Sequence, residues 1–259
     1  MSKVFVVGFG PGDREHMTEQ AVRALEGADV LCGYTTYLDL LRPLFPEKET
    51  YTTPMTRELD RCRWALETAK EGKTVALLCS GDPGVYGMAG PLLELAPEIA
   101  PEVEIEVIPG VTAALSGAAL LGAPLMHDFC VLSLSDLLTS WAEIENRLRH
   151  AALGGFVLCL YNPASHRRRD HLRRACDVLL EVLPPETVCG WARSVGREGE
   201  DHGVLTLAGL GDFPADMFTT VFVGVPGTRL LAGRMVTPRG YERKRLRSSC
   251  SAAPPRAVF

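Results

Sequence analysis

Three glycine-rich loops in the first half of the chain have residue types suited to holding a ligand by its polar groups. They read GFGPGD at residues 8–13, SGDPG at 80–84 and PGVTAA at 109–114. Glycine and other small residues let a ligand approach backbone N–H and C=O groups closely. The carboxylate of Asp82 would hydrogen-bond a ribose or an ammonium group, although aspartate in this position also caps helices. The loops predict a binding site made largely of backbone, with tight turns and close helix packing as the alternative.

The first loop approximates the glycine fingerprint of dinucleotide-binding proteins but departs from it at two positions. Asp13 stands where the third glycine is expected, and Pro11 removes an N–H that a pyrophosphate would use. The loop therefore gives only weak support to a nicotinamide-dependent oxidoreductase. A plain strand-to-helix turn explains the same residues.

A dense basic run in the second half has the residue types that bind acidic ligands, because guanidinium groups hold carboxylates in bidentate geometry. Charge runs are more often a solvated helix face, which is the interpretation that we favour here. The run consists of His166, Arg167, Arg168, Arg169, His171, Arg173 and Arg174.

Metal chemistry and serine hydrolysis both lack their sequence signatures. The eight cysteines include no Cys-x-x-Cys pair, and His166 and His171 are too irregularly spaced to share a helix face. We therefore expect no metal site. Ser133, Ser135 and Asp136 suggest a hydrolase, but no Gly-x-Ser-x-Gly elbow occurs, so this class is excluded.

The elements that must position these residues are short apolar strands alternating with helices. This alternation predicts an α/β fold with mostly parallel or mixed sheets covered by helices. The sequence GAP at 122–124 suits a hinge, so we expect α/β domains at 1–122 and 123–241, followed by a basic tail at 242–259. Strands are predicted at residues 3–7, 29–32, 74–79, 104–108, 129–134, 155–161, 187–192 and 219–223, and helices at 56–71, 111–121, 141–150 and near 168–183.

Composition and charge restrict the class of protein further. The apolar fraction of 46% and the charged fraction of 23% are those of a globular protein. The net charge of −5 is uneven, since residues 239–259 hold six basic residues against one acidic, so the acidic body argues against broad binding to nucleic acid. Free cysteines and the lack of a long apolar run predict a soluble cytoplasmic protein that binds no membrane.

The order and spacing of the three loops, with Tyr34 between them, resemble the tetrapyrrole (corrin/porphyrin) methylase family. Further motifs are similar to the precorrin-3B C(17)-methyltransferase branch of that family. These motifs are SLSDLL at 133–138, LYNP at 160–163, Arg193, and VTPRGY at 236–241. The resemblance extends over about residues 1–245 and implies two α/β domains with the cofactor in the cleft between them.

The resemblance also implies a cofactor, a substrate and a homodimer. Members of this branch use S-adenosylmethionine to methylate precorrin-3B at ring carbon 17 and contract the macrocycle, in vitamin B12 biosynthesis. Arg193 and Arg239 then match substrate contacts, and Asp82, Ser135 and Asp136 are candidates for the proton movement of the contraction. The implied cofactor contacts are Pro11, Gly81, Asp82, Pro83, Thr112, Ala113, Tyr161, Asn162 and Ala192.

Four alternatives stay open at this point. One alternative is a methyltransferase for the cobalt-containing equivalent, cobalt-factor III, and another is a precorrin methylase of the same fold that acts at a different carbon. An NAD-dependent oxidoreductase and a non-catalytic tetrapyrrole carrier belong to different classes. Some relatives carry a C-terminal iron–sulfur extension, but Cys250 is the single cysteine of the tail, so we expect no cluster.

Overall fold

A computed structural model of the protein describes residues 2–165 and 168–241. The basic tail predicted at 242–259 lies outside the described residues, as do His166 and Arg167 of the basic run. The chain divides into two compact units. The first runs to Gly117 and also includes Arg193–Asp201, and the second contains Ala118–Ala192 and the residues from His202 onward.

The first unit contains a five-stranded sheet in the order β3-β2-β4-β1-β5. Its neighbouring strands all pair in parallel. All five residues of β4 are buried, as expected for a central strand covered on both faces. The strands are β1 Lys3–Gly8, β2 Val30–Tyr34, β3 Glu49–Thr53, β4 Val75–Cys79 and β5 Glu104–Ile108.

Helices connect these strands and bury apolar side chains against both faces of the sheet. A short 3-10 turn, Arg14–His16, follows the first loop, and Thr18 caps α1 by accepting a hydrogen bond from the Ala21 N–H at 3.0 Å. The helices are α1 Glu19–Gly27, α2 Thr35–Leu41, α3 Glu58–Lys70, α4 Ala89–Ile99 and α5 Ala113–Leu121.

The second unit has a mixed five-stranded sheet in the order β10-β9-β11-β8-β7 and a small sheet in the order β12-β13-β6. Strand β8 pairs in parallel with β7 and antiparallel with β11. Leu148, Leu160 and Leu179 are among the side chains fully buried in its core. The elements are β6 Gly122–Ala123, β7 Phe129–Ser133, α6 Trp141–Leu153, β8 Val157–Tyr161, α7 His171–Leu180, β9 Val188–Arg193, β10 Asp201–Thr206, α8 Leu207–Leu210, β11 Thr219–Val223, β12 Arg229–Leu231 and β13 Arg234–Val236.

The structure confirms the predicted α/β class with parallel and mixed sheets. The eight predicted strands all form, each within a few residues of its expected bounds. Several short elements were not predicted from the sequence, among them α2, β3, β10, β12 and β13. Of these strands, β3 is mostly exposed and β12 is fully exposed. None of the helices in the described ranges combines the length and apolarity needed to cross a bilayer.

Candidate functional site

The three glycine-rich loops meet in the first unit because they follow adjacent strands. Strand β1 lies between β4 and β5, and Gly8 at its end is level with Cys79 at the end of β4. Gly10 and Gly81 then exchange two backbone hydrogen bonds, with N···O distances of 3.2 and 2.8 Å. Parallel sheets bind ligands at this carboxyl edge, so the loops lie where a ligand site is expected.

Glycine is required at the point where the three loops touch. A Cβ atom added to Gly110 would lie 2.1 Å from the carbonyl oxygen of Gly81 and 2.6 Å from that of Gly8. A Cβ atom on Gly8 would lie 2.7 Å from the backbone nitrogen of Gly110. Since real Cβ atoms do not approach so closely, the loops can converge only without side chains at these positions.

Asp82 links the second loop to the third. One carboxylate oxygen accepts the Gly84 N–H at 2.8 Å, and the other accepts the Gly110 N–H at 3.1 Å. The carboxylate thus holds the backbone geometry of both loops. Lone pairs that these two bonds leave unused remain for a ligand.

The start of α5 is partly accessible to a ligand. The residues Gly110, Val111, Thr112 and Ala113 are all half-buried. The Cα of Thr112 lies 3.5 Å from the Cβ position at Gly81, so the second and third loops are in van der Waals contact. The structure therefore brings together the predicted cofactor contacts of the first half: Pro11, Gly81, Asp82, Pro83, Thr112 and Ala113.

A segment from far along the chain completes this edge of the first unit. Arg197 belongs to Arg193–Asp201, which we call the strap. Its Nε donates to the Pro11 carbonyl at 2.5 Å, and its Nη2 donates to the Ser80 hydroxyl at 2.6 Å. The sequence analysis missed Arg197, although a second arginine shortly after Arg193, between two glycines, was a visible signal.

Other charged groups near the strap already have partners. Arg193 lies 3.4 Å from Asp201, and these two residues begin and end the strap. Asp13 accepts hydrogen bonds from the backbone and the ring of His16. Asp13 therefore caps the turn after the first loop, where the dinucleotide fingerprint would have glycine.

Aromatic side chains lie beside the same loops. Tyr37 contacts Phe9 and Tyr34 edge-on, with ring centroids 5.7 and 5.3 Å apart. Burial raises the pKa of the Tyr37 hydroxyl, and the charge of Arg197 partly opposes this shift. Tyr37 is thus a neutral neighbour of the strap arginine at physiological pH.

The second unit gathers a polar cluster at the ends of β7 and β8. The Ser133 hydroxyl accepts hydrogen bonds from Asn162 Nδ2 at 2.9 Å and from the Ser135 N–H at 3.2 Å. Asn162 has a φ of 54°. The carbonyl of the neighbouring Tyr161 accepts a hydrogen bond from the Leu134 N–H at 2.9 Å. The motifs SLSD and YNP therefore form one connected site.

His171 lies at the centre of this cluster, which corrects the expectation of a solvated basic face. Its ring is buried and packs edge-on against Trp141, with centroids 4.9 Å apart. Nε2 lies 3.2 Å from the Asp136 carboxylate. Nδ1 lies 3.3 Å from the Asp170 carboxylate. The sequence analysis counted His171 only as part of a charge run.

Arg168 reaches the same cluster and donates to the Ser135 hydroxyl at 3.0 Å. Desolvation raises the Asp136 pKa, but contact with His171, the charge of His171 and the charge of Arg168 outweigh it. The pKa of Asp136 therefore lies below its ordinary value, and the carboxylate is ionised at neutral pH. Arg173 and Arg174 of the run fit a surface role, since Arg173 pairs with Asp212 and Arg174 stacks on Trp141 at 4.0 Å.

Two predicted residues of the second half lie outside the polar cluster. Ala192 is buried near the end of β9, and Arg239 is exposed after β13. Most predicted site residues thus fall into a loop cluster in the first unit and a polar cluster in the second. Ala192 and Arg239 lie outside both clusters, and Arg193 begins the strap.

A comparison with models of protein families shows which family has this fold and these loops. The model of the "Tetrapyrrole (Corrin/Porphyrin) Methylases" matches residues 3–211, which is most of the chain. The chain belongs to this family. The match includes all three loops, the polar cluster and the strap.

Two relatives that align over nearly their whole length are named for C(17) methylation. A Salmonella typhimurium protein named "Probable cobalt-factor III C(17)-methyltransferase" is 46% identical, with 91% of this chain and 98% of the relative covered. A Sinorhizobium protein named "Precorrin-3B C(17)-methyltransferase" is 41% identical, with coverage of 92% and 96%. Two other relatives are longer, and the chain covers 53% and 46% of their lengths.

A solved structure of the methyltransferase CobJ agrees with this assignment. It superimposes with a TM-score of 0.84 and is 38% identical in sequence. The alignment covers 92% of this chain and the whole of CobJ. The predicted family and branch are confirmed.

Proposed function

We propose that this protein is an S-adenosylmethionine-dependent methyltransferase that methylates precorrin-3B at ring carbon 17 and contracts the ring. One observation carries the proposal: relatives named for C(17) methylation align through both units, at 46% and 41% identity over nearly their whole length. The two residue clusters supply groups suited to the cofactor and the substrate. The product would be precorrin-4, in cobalamin biosynthesis.

The loop cluster of the first unit fits S-adenosylmethionine, which supplies a methyl group on a positively charged sulfur. Gly8, Gly81 and Gly110 keep side chains away from the place where the three loops meet. A ligand could therefore contact the half-buried backbone from Gly110 onward closely. Asp82 fixes that backbone and has lone pairs suited to an ammonium or hydroxyl group. Pro11, Pro83, Thr112 and Ala113 would line the same site, and positioning by these rigid loops would supply much of the rate enhancement.

On the second unit, Tyr161, Asn162 and Ala192 remain proposed cofactor contacts. Tyr161 and Asn162 end β8 beside Ser133, and Ala192 lies near the end of β9. Asn162 is held by its bond to Ser133 and by a left-handed backbone conformation. An amide fixed in this way is suited to reading a polar group of the cofactor with little loss of entropy.

Arginines would bind the acetate and propionate groups that surround a precorrin. Arg193 and Arg239 are the proposed substrate contacts. Arg168 has a buried Nε without a hydrogen-bond partner among the described residues, so a carboxylate there would remove an unsatisfied donor. Arg168 is therefore added to the proposed substrate site.

The polar cluster suits the proton movement of ring contraction. Asp136 is ionised and lies 3.2 Å from His171, and Ser135 accepts a hydrogen bond from Arg168. A carboxylate or a hydroxyl beside the substrate can accept a proton from one ring position and return it to another. We propose Asp136 and Ser135 as the groups nearest the chemistry, with the buried His171 positioning Asp136 and with Asp82 in the supporting role described above.

A second candidate substrate is cobalt-factor III, the cobalt-containing equivalent. The Salmonella typhimurium relative with this substrate in its name is 46% identical, against 41% for the Sinorhizobium relative. The metal would belong to the substrate in this case and would need no ligands from the protein.

The deciding experiment supplies purified precorrin-3B and cobalt-factor III separately, with S-adenosylmethionine labelled on its methyl group. Mass spectrometry should detect one labelled methyl group on ring carbon 17 of precorrin-3B. Labelling of cobalt-factor III alone assigns the second candidate. Binding of either tetrapyrrole without transfer of label would indicate a carrier and contradict the proposal.

We further propose, from the family resemblance, that the enzyme is a cytoplasmic homodimer. Light scattering on the purified full chain measures its mass directly. A mass near twice 28.1 kDa is expected, and a mass of 28.1 kDa would contradict the dimer.

A further inference from the structure

The guanidinium of Arg197 has unused hydrogen-bonding capacity at the ligand-binding edge of the first unit. Its bonds to Pro11 and Ser80 use Nε and one N–H of Nη2. A guanidinium has five N–H donors, so three remain. Within residues 2–165 and 168–241, no further hydrogen bond or ion pair satisfies them.

The charge of Arg197 also has no acidic partner among the residues that the structure describes. Its two hydrogen-bond acceptors, a carbonyl and a hydroxyl, are neutral, and no carboxylate of the described residues lies within ion-pair distance. Arg197 is half-buried, and this burial lowers its pKa below the ordinary arginine value. Taking a cation out of water is unfavourable unless an anion compensates it, so this position favours an anionic ligand.

Three other arginines of the same unit have acidic partners. Arg193 pairs with Asp201, Arg14 with Glu26 and Arg42 with Asp39. Arg197 instead donates hydrogen bonds to Pro11 of the first loop and Ser80 of the second. Its remaining donors therefore lie beside the carboxyl ends of β1 and β4. This arrangement orients the guanidinium firmly while leaving its charge for a ligand.

We propose that Arg197 binds a carboxylate of a bound reactant. A carboxylate matches the fork of the guanidinium and would use two of the remaining N–H groups. The inference rests on the proposed function, because both reactants of that function carry carboxylates. One source is the amino-acid carboxylate of S-adenosylmethionine, and the other is an acetate or propionate group of the tetrapyrrole.

The test compares Arg197→Met and Arg197→Lys with the wild type, using the full chain. Arg14→Met is the matched control, because it removes one exposed positive charge from the same unit. Calorimetry measures binding of S-adenosylhomocysteine and of methylthioadenosine, which has the same nucleoside but no carboxylate. Initial rates measure KM for the tetrapyrrole that the enzyme accepts.

If the cofactor supplies the carboxylate, Arg197→Met should weaken binding of S-adenosylhomocysteine by about ten- to a hundredfold and leave methylthioadenosine binding unchanged. If the tetrapyrrole supplies it, binding of both nucleosides should stay constant and KM should rise by a similar factor. The ligand affinity or KM of Arg197→Lys should lie between those of the wild type and Arg197→Met. Lysine keeps the positive charge but cannot bind a carboxylate in bidentate geometry.

Two results would overturn the inference. Equal weakening of both nucleosides would show that Arg197 only holds the loops, and unchanged binding and KM would show that it binds no reactant. Failure of the wild type to bind S-adenosylhomocysteine would instead contradict the proposed function. If Arg197→Met does not fold, Arg197→Gln is compared in the same way.

Discussion

Two aspartates of the candidate site, Asp82 and Asp136, have different surroundings. Asp82 accepts hydrogen bonds from two backbone N–H groups and connects the second and third loops of the first unit. Asp136 lies beside the buried ring of His171 in the second unit. The first carboxylate is suited to fixing backbone that binds the cofactor, and the second to handling a proton.

Replacing Asp82 should separate its roles in binding and in stability. Asp82→Ala removes acceptors from two amides, so we expect cofactor affinity to fall at least about tenfold and stability by about 1–3 kcal/mol. Asp29→Ala is the control, since Asp29 accepts the Thr74 N–H at 2.7 Å near the start of the strands, away from the loops. Calorimetry and urea unfolding should show lost stability in both variants but lost S-adenosylhomocysteine binding only in Asp82→Ala. If Asp82→Ala and Asp29→Ala bind S-adenosylhomocysteine with equal affinity, Asp82 has only a structural role.

The lowered pKa of Asp136 predicts a stability effect with a definite pH dependence. A carboxylate with a depressed folded-state pKa stabilises the fold above its unfolded pKa of about 3.9, and this contribution disappears as the pH falls through the folded pKa. Asp136→Asn should therefore be less stable than wild type by about 0.5 kcal/mol at pH 6, after solvent screening of a partly exposed pair. Urea unfolding should show this difference shrinking below about pH 4. A difference independent of pH would contradict the ion-pair assignment.

At the scale of elements, the site depends on strands that end at the same level. Strands β4, β1 and β5 are adjacent and parallel, so their three following loops are brought to one edge. Strands β7 and β8 do the same for the SLSD and YNP motifs. The strap between β9 and β10 adds Arg197 to the first of these edges.

Gly110→Ala should disrupt the contact between the three glycine-rich loops, because the new methyl group would lie 2.1 Å from the Gly81 carbonyl oxygen. We expect a loss of about 3 kcal/mol in the free energy of unfolding, together with weakened cofactor binding. Gly90→Ala in α4 is the matched control, since its Cβ position has no neighbour within 4 Å. This control should be neutral or more stable by about 0.5–1 kcal/mol. Urea unfolding measures the free energy of unfolding of both variants. Equal values would show that the contact between the loops tolerates a methyl group.

At the scale of the whole molecule, the chain forms two units that each carry one cluster of candidate residues. The strap belongs by its contacts to the first unit although its neighbours in sequence belong to the second. The resemblance of the chain to CobJ covers 92% of its length, so both units are part of the family likeness.

S-adenosylhomocysteine should stabilise the protein by mass action, because it binds the folded state and not the unfolded chain. At a concentration of 100 times Kd, the gain is about 2.7 kcal/mol, or roughly 5–10 °C in Tm for a chain of this size. NAD should produce no shift, since Asp13 and Pro11 depart from the dinucleotide fingerprint. Differential scanning fluorimetry with both ligands measures this, and a shift with NAD alone would favour an oxidoreductase.

Burial explains why the central strands were predictable from the sequence and why two edge strands were not. Strands β1, β4 and β8 are buried along most or all of their length, so their sequences are continuous apolar runs. Strand β3 reads ETYTT and is mostly exposed, and β12 is fully exposed, so neither has an apolar pattern to detect. The loops of the candidate site were visible because glycine and proline are distinctive residue types. His171 was not, because a buried histidine and a solvated one have the same letter.

The sequence alone determined the α/β class, the family, the three loops and the SLSD and YNP motifs, because each depends on residue types close together in the chain. Tertiary structure decided the contacts between distant residues. It placed Arg197 against Pro11, 186 residues away, and against Ser80, 117 residues away. It also turned His171 inward against Asp136. Local patterns carry no record of such pairs, since they arise only when strand order brings separate loops to one edge.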